Sequence, residues 1–148
     1  MRRVTLITAI AFGLFVFLGI SLLLARVLTG AGNERAEVLS LLRDEARGNA
    51  AGMLARLPAC RAEPACAVQT RALARRLRRP GTVEILAYRP SSRAAVTAET
   101  GVARVAWRAG AGLPVVQCVR ARRNGPLSRD QVELLAISPP IARTGSCH

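Results

Sequence analysis

The sequence predicts an α+β fold: an N-terminal transmembrane helix, then two helices packed on a four- to five-stranded antiparallel meander, stapled by disulfides. Three observations lead there. Residues 4–25 carry no charge, residues 34–79 repeat apolar side chains at spacings of three and four, and beyond Pro80-Gly81 that spacing shortens to two. A chain of 148 residues is one domain's worth. With 51% of its residues apolar it is not a disordered polymer.

The first element is "VTLITAIAFGLFVFLGISLLLA", residues 4–25. As a helix it would extend about 33 Å, enough for a hydrocarbon core of roughly 30 Å. It exceeds the apolar region of about 7–15 residues found in a cleaved signal peptide, so an uncleaved anchor is expected. Thr29-Gly30-Ala31 offers a small-residue cleavage site, and processing after Ala31 would give a secreted form. The expected organisation is a cytoplasmic tail (1–3), the anchor (4–25), a linker (26–33) loosened by Gly30-Ala31-Gly32, and an extracytoplasmic α+β domain (34–148). Arg2 and Arg3 on one side and Arg26, Arg35 and Arg43 on the other leave the positive-inside rule nearly balanced.

Asn33 is a suitable N-cap, with Glu34 and Glu37 in the first turn of the next helix. Leu39, Leu42, Ala46, Ala50, Met53 and Leu57 form its apolar stripe, and Pro58 ends it. This stripe leaves Glu34, Glu37, Asp44 and Glu45 on the exposed side. A second helix is expected over 65–79, with Val68, Ala72, Leu73 and Leu77 inward and Arg71, Arg75 and Arg78 outward. "TVEILAYR", "RAAVTAE", "GVARVAWR", "LPVVQCVRAR" and "QVELLAIS" then read as strands. They are divided by Arg89-Pro90-Ser91-Ser92, Glu99-Thr100-Gly101, Ala109-Gly110-Ala111-Gly112 and Asn124-Gly125-Pro126. In the third, Ala103, Val105 and Trp107 alternate with Arg104 and Arg108, which makes Trp107 a core anchor. Ser128 followed by Gln131 gives the last segment an alternative as a capped short helix. Such short connections favour antiparallel pairing.

Cys60, Cys66, Cys118 and Cys147 all follow the apolar segment. Three pairings are open to four cysteines. Pairing neighbours would close the turn between the helices and tie a strand to the C-terminal tail. The spacing lacks the close repeated pairs of a zinc site and the C-x-x-C of a redox or haem site, so no metal and no cofactor is expected. Structural disulfides imply an oxidising compartment, which puts the N-terminus inside and the domain outside.

The net charge is +13 from 22 basic residues, all of them arginine. Alanine, glycine and proline are also abundant, the mark of a GC-rich bacterial genome, so arginine use alone does not indicate phosphate binding. The basic run "RALARRLRRPG" is the candidate anionic-ligand patch, carried by Arg71, Arg75, Arg76, Arg78 and Arg79. No aromatic residue interleaves it, and an outward-facing domain argues against nucleic acid as a partner. Anionic lipid or a surface polymer fits better.

Catalysis needs a base beside a nucleophile. The single histidine is the terminal His148, and the carboxylates are scattered. Glu84 and Glu133 fall in strands, where cross-strand pairing with arginine is the ordinary role. No phosphate-binding or nucleophile-elbow motif occurs, so no enzyme activity and no catalytic residue is expected.

An apolar helix continuing into an amphipathic one, then an antiparallel meander, is similar in layout to the type IV pilins and pseudopilins. The resemblance makes residues 4–57 a stalk and implies a Cys118–Cys147 loop at the C-terminus. The family's processing motif is not matched: Thr8 of "RVTLIT" stands where a glutamate belongs. The expected function is that of a single-pass, membrane-anchored binding or assembly protein of a bacterial envelope, acting with another membrane protein. A pilin-like filament subunit and an extracytoplasmic sensing domain are the alternatives.

Overall fold

The computed structural model describes residues 2–91, 98–124 and 132–147, with side chains described at residue 7, at 10–25 and from 32 onward within those ranges. The first helix, α1, runs from Arg2 to Arg47. Its first half has exposed apolar side chains, among them Phe12, Phe15 and Phe17. Its second half is packed from Glu34 onward.

The linker expected over 26–33 is therefore corrected: the helix passes through it, and Asn33 is interior rather than a cap. Each glycine costs a helix only about 1 kcal/mol relative to alanine. With no proline before Pro58, nothing in this stretch forbids the helical backbone. Among the described residues no helix is long and apolar enough to cross a membrane, so the span expected over 4–25 is not shown.

The actual break comes at Gly48. Gly48 N–H donates to Glu45 O (2.9 Å) and Asn49 N–H to Asp44 O (2.8 Å). That 5→2 and 6→1 pair is a Schellman closure, which needs a left-handed residue at its centre. Gly48 supplies it with φ of 73°. Asn49 then caps α2 (Ala50–Arg56), its side chain accepting from Gly52 N–H at 3.0 Å. Two shorter pieces follow: α3 (Pro58–Ala62) and α4 (Pro64–Arg76), each with proline in its first turn. There proline costs no hydrogen bond. Thus the single helix expected over 34–57 is two, and the one expected over 65–79 stops at Arg76.

β1 (Val83–Arg89), β2 (Glu99–Ala109), β3 (Val115–Arg123) and β4 (Val132–Ile137) form an antiparallel sheet in the order β1-β2-β3-β4. This is the expected meander with four strands. Of the strand expected at 93–99, residues 93–97 lie outside the described residues, as do Ser128 and Gln131. Glu99-Thr100-Gly101 is not a turn but the start of β2. Gly101 is needed because Ser91 O lies 2.3 Å from where its Cβ would stand.

One face of the sheet takes the helices. Val38, Leu41, Leu42, Ala46, Met53, Leu57, Leu73 and Leu77 meet Val105, Trp107, Val119, Ala121, Leu134 and Ile137 in one core. Thr70 is buried on α4 while Val68 is exposed, so the inward face of that helix centres on Ala67, Leu73 and Ala74. The chain after β4 turns back along β3, where Ile141 bridges Val116. Arg104 donates to the carbonyls of Arg143 and Gly145, holding the tail on the sheet.

Candidate functional site

Both disulfides join sequence neighbours. Cys60–Cys66 ties α3 to α4, and Cys118–Cys147 ties β3 to the tail. None of the four cysteines is free. Cys60 Sγ lies 3.2 Å from Thr70 Oγ1 in the core, so this bridge is a structural brace between helices.

The acidic residues of α1 are where the structure departs most from the sequence reading. Glu37 is exposed as expected, but Glu34, Asp44 and Glu45 are buried. Glu34 shares its face with Val38, Leu41 and Glu45 at spacings of four, three and four. That face, rather than the one centred on Leu39, rests on the sheet. The periodicity was visible in the sequence, yet the charges argued against it.

Each buried carboxylate is compensated differently. Glu34 Oε1 accepts from Tyr88 OH (2.5 Å) and Ser91 N–H (2.9 Å). Its Oε2 accepts from Ser91 Oγ (2.7 Å) and Arg123 Nε (2.6 Å). Burial pushes its pKa up, but the hydrogen bonds from Tyr88, Ser91 and Arg123 outweigh that and leave it lowered. Burial and the Glu34 carboxylate together push the Tyr88 phenol well above its ordinary value.

Asp44 fastens the corner between α1 and α2. Its Oδ1 accepts from Arg47 and Asn49, and its Oδ2 from Arg56. Glu45 has the weakest support. Its Oε1 accepts from Gln117 Nε2 at 2.9 Å, while Oε2 is buried without a partner. Desolvation pushes its pKa up to about 7, only partly opposed by Gln117.

Gln117 also accepts from Trp107 Nε1 at 2.6 Å and donates to Ser138 O at 3.1 Å. A polar chain therefore crosses the core from α1 through β3 to β2. The pairs expected across strands are present: Arg108 with Glu84 at 2.8 Å, and Arg122 with Glu133 at 3.7 Å.

The expected basic patch assembles in part. Arg71, Arg75 and Arg76 are exposed on α4, and Arg78 follows just past its end. Arg79 turns away: its Nη1 donates to Leu113 O at 2.8 Å, so it braces the β2–β3 connection. The sequence missed Arg47. Ala46 O accepts from Arg79 N–H at 2.8 Å, which brings the end of α1 to the end of α4. Arg47, Arg78 and Arg79 then line a cavity of about 480 Å³ with Ala46, Pro80 and Gly81.

No known protein family, curated protein or solved structure matches the chain. Its chemistry has to be read from the site itself. Among the described residues no group of histidine, cysteine or carboxylate side chains is arranged to hold a metal. A cleft of about 530 Å³ is lined by Glu37, Arg56 and Glu133 among others. Glu37 and Arg56 are paired across it at 3.4 Å. What the described surface offers is positive charge in excess of its acidic partners at the joined ends of α1 and α4, where Asp44 alone pairs with Arg47.

Proposed function

We propose that this chain is a membrane-anchored binding or assembly protein of a bacterial envelope. Residues 4–25 are its anchor, and residues 34–148 its domain outside the cytoplasmic membrane. The observation that carries the reading is the divided character of α1. Phe12, Phe15 and Phe17 are 70%, 77% and 66% exposed, whereas Val38, Leu41 and Leu42 on the same helix are fully buried. A contiguous exposed apolar surface of this kind calls for a lipid or protein environment. Two disulfides fit an oxidising compartment. No catalytic role is part of the proposal.

The continuous path of α1 through 26–33 favours one variant of this reading, a pilin-like filament subunit whose stalk is α1. Carbonate extraction of membranes, combined with a membrane-impermeant thiol reagent on intact cells, tests the main reading. The expected result is a chain retained in the membrane whose four thiols react only after reduction. Release by carbonate, or alkylation without reduction, would sink it. A shortened, methylated N-terminus would select the filament variant.

A further inference from the structure

From the placement of the arginines on the fold we infer that the membrane-distal end of the domain is a docking surface for a linear phosphodiester polyanion outside the cell membrane. This rests on the anchored reading above. Arg47, Arg71, Arg75, Arg76 and Arg78 are all exposed. Arg78 lies against Gly48, where a Cβ would come within 3.1 Å of its Cδ, so the two helix ends share one surface. Among the described residues no carboxylate pairs with Arg71, Arg75, Arg76 or Arg78. The acids nearest in sequence to Arg47 are withdrawn: Glu45 is fully buried, and Asp44 is engaged by Arg47 and Arg56.

Two bland accounts fall short on magnitude. Arginines near helix C-termini answer the helix dipole, but two such ends amount to only about −0.5 charge each. Asp44 adds a single negative charge that it shares with Arg56, so most of the five guanidinium charges stay uncompensated. Headgroups of the chain's own membrane are too remote. From Ala25 to Arg47 the helix rises about 33 Å, against a Debye length of about 8 Å at physiological salt.

The ligand therefore arrives from the far side. Arg71 and Arg75 are spaced about 6 Å along α4 and Arg78 follows just past its end, against Gly48, so several guanidiniums can meet several charges on an extended chain. Planar guanidinium forks take phosphate oxygens two at a time, and the cavity beside Arg47 and Arg78 admits such a group. With no aromatic side chain on this surface, recognition is of the backbone charge rather than of stacked bases.

The test uses the full chain in nanodiscs of zwitterionic lipid, with fluorescent glycerol-phosphate polymer as the probe. Affinity is expected to fall at least tenfold between 50 and 200 mM salt. The combined substitution Arg47→Gln, Arg75→Gln, Arg76→Gln and Arg78→Gln is expected to weaken it at least thirtyfold while the chain still unfolds cooperatively, since Asn49 and Arg56 continue to hold Asp44. Arg89→Gln and Arg122→Gln, at the opposite end of the domain, should change it less than twofold.

Undiminished binding by the fourfold variant, equal loss in the controls, or tighter binding to a polyuronate would each overturn the inference. So would more than fivefold competition from anionic lipid placed in the same disc. The polymer assay repeated in detergent does not depend on the anchor. A failure of the anchored reading would appear in carbonate extraction and not here.

Discussion

Gln117 Nε2 donates to Glu45 Oε1 across 2.9 Å, joining residues 72 apart in the chain at the centre of the core. The bond fixes α1 against β3, but it leaves the second carboxylate oxygen of Glu45 buried and unpaired. That geometry makes the fold sensitive to pH near neutrality.

Glu45 has its pKa raised from 4.5 to about 7. Between those values the unfolded chain gives up the proton while the folded one keeps it, so stability falls as pH rises. The total loss is about 3 kcal/mol at 1.36 kcal/mol per unit, complete just above pH 7. Glu34, with its pKa lowered, stays ionised in the folded state, and its opposite contribution is confined to the low end of the window, where the unfolded carboxylate still titrates near 4.5. Urea unfolding at pH 5 and pH 8, followed by Trp107 emission, should show the decline. Glu45→Gln should flatten it, and an unchanged slope in that variant would refute the assignment.

The Glu34–Arg123 pair has side chains 0% and 5% exposed. Removing one partner strands a buried charge at a cost of about 3–5 kcal/mol. Arg123→Met should therefore destabilise by that amount, and adding Glu34→Leu should recover part of the loss. If the double variant were less stable than Arg123→Met alone, a lone buried charge would not be the cause. Denaturant midpoints for the three variants decide this.

The two disulfides should differ in worth. The Cys118–Cys147 separation is 29 residues and that of Cys60–Cys66 is 6. On the chain-entropy account these closures stabilise by about 4 and about 2 kcal/mol respectively. Calorimetry of the paired serine variants should show the larger loss for Cys118/Cys147. The reverse order would mean that Cys60–Cys66 acts mainly through native packing beside Thr70.

Trp107 is fully buried, and its indole N–H bonds Gln117. Trp107→Phe leaves Gln117 Oε1 without its donor, costing about 1–3 kcal/mol before any cavity is counted. Adding Gln117→Leu removes the unmatched acceptor but exposes Glu45 to the core with no donor. The pair is therefore expected to be non-additive, which a double-mutant cycle at pH 5 and pH 8 would measure.

Much of the architecture was legible in local sequence. Period-two alternation at Ala103, Val105 and Trp107 marked a strand with one buried face, and all three are fully buried. Pro58 marked the end of a helical run, and α2 does give way there to α3, while Ala109-Gly110-Ala111-Gly112 marked the turn between β2 and β3. These signals depend on near-neighbour sterics, which the chain carries with it whatever it packs against.

The sequence could not decide which face of α1 turns inward, because two stripes overlap on that helix and one contains carboxylates. Burying Glu34 becomes affordable only when Tyr88, Ser91 and Arg123 converge from 54 to 89 residues away. The candidate patch was half legible for the same reason. Arg71, Arg75, Arg76 and Arg78 are adjacent in the chain, whereas Arg47 joins them only because the Schellman turn at Gly48 sets the end of α1 beside the end of α4. Local sequence determined the alternation of the strands and the helical character of the first half of the chain. The tertiary structure decided which charges are compensated in the core and which remain at the surface, because desolvation depends on neighbours that the sequence places far apart.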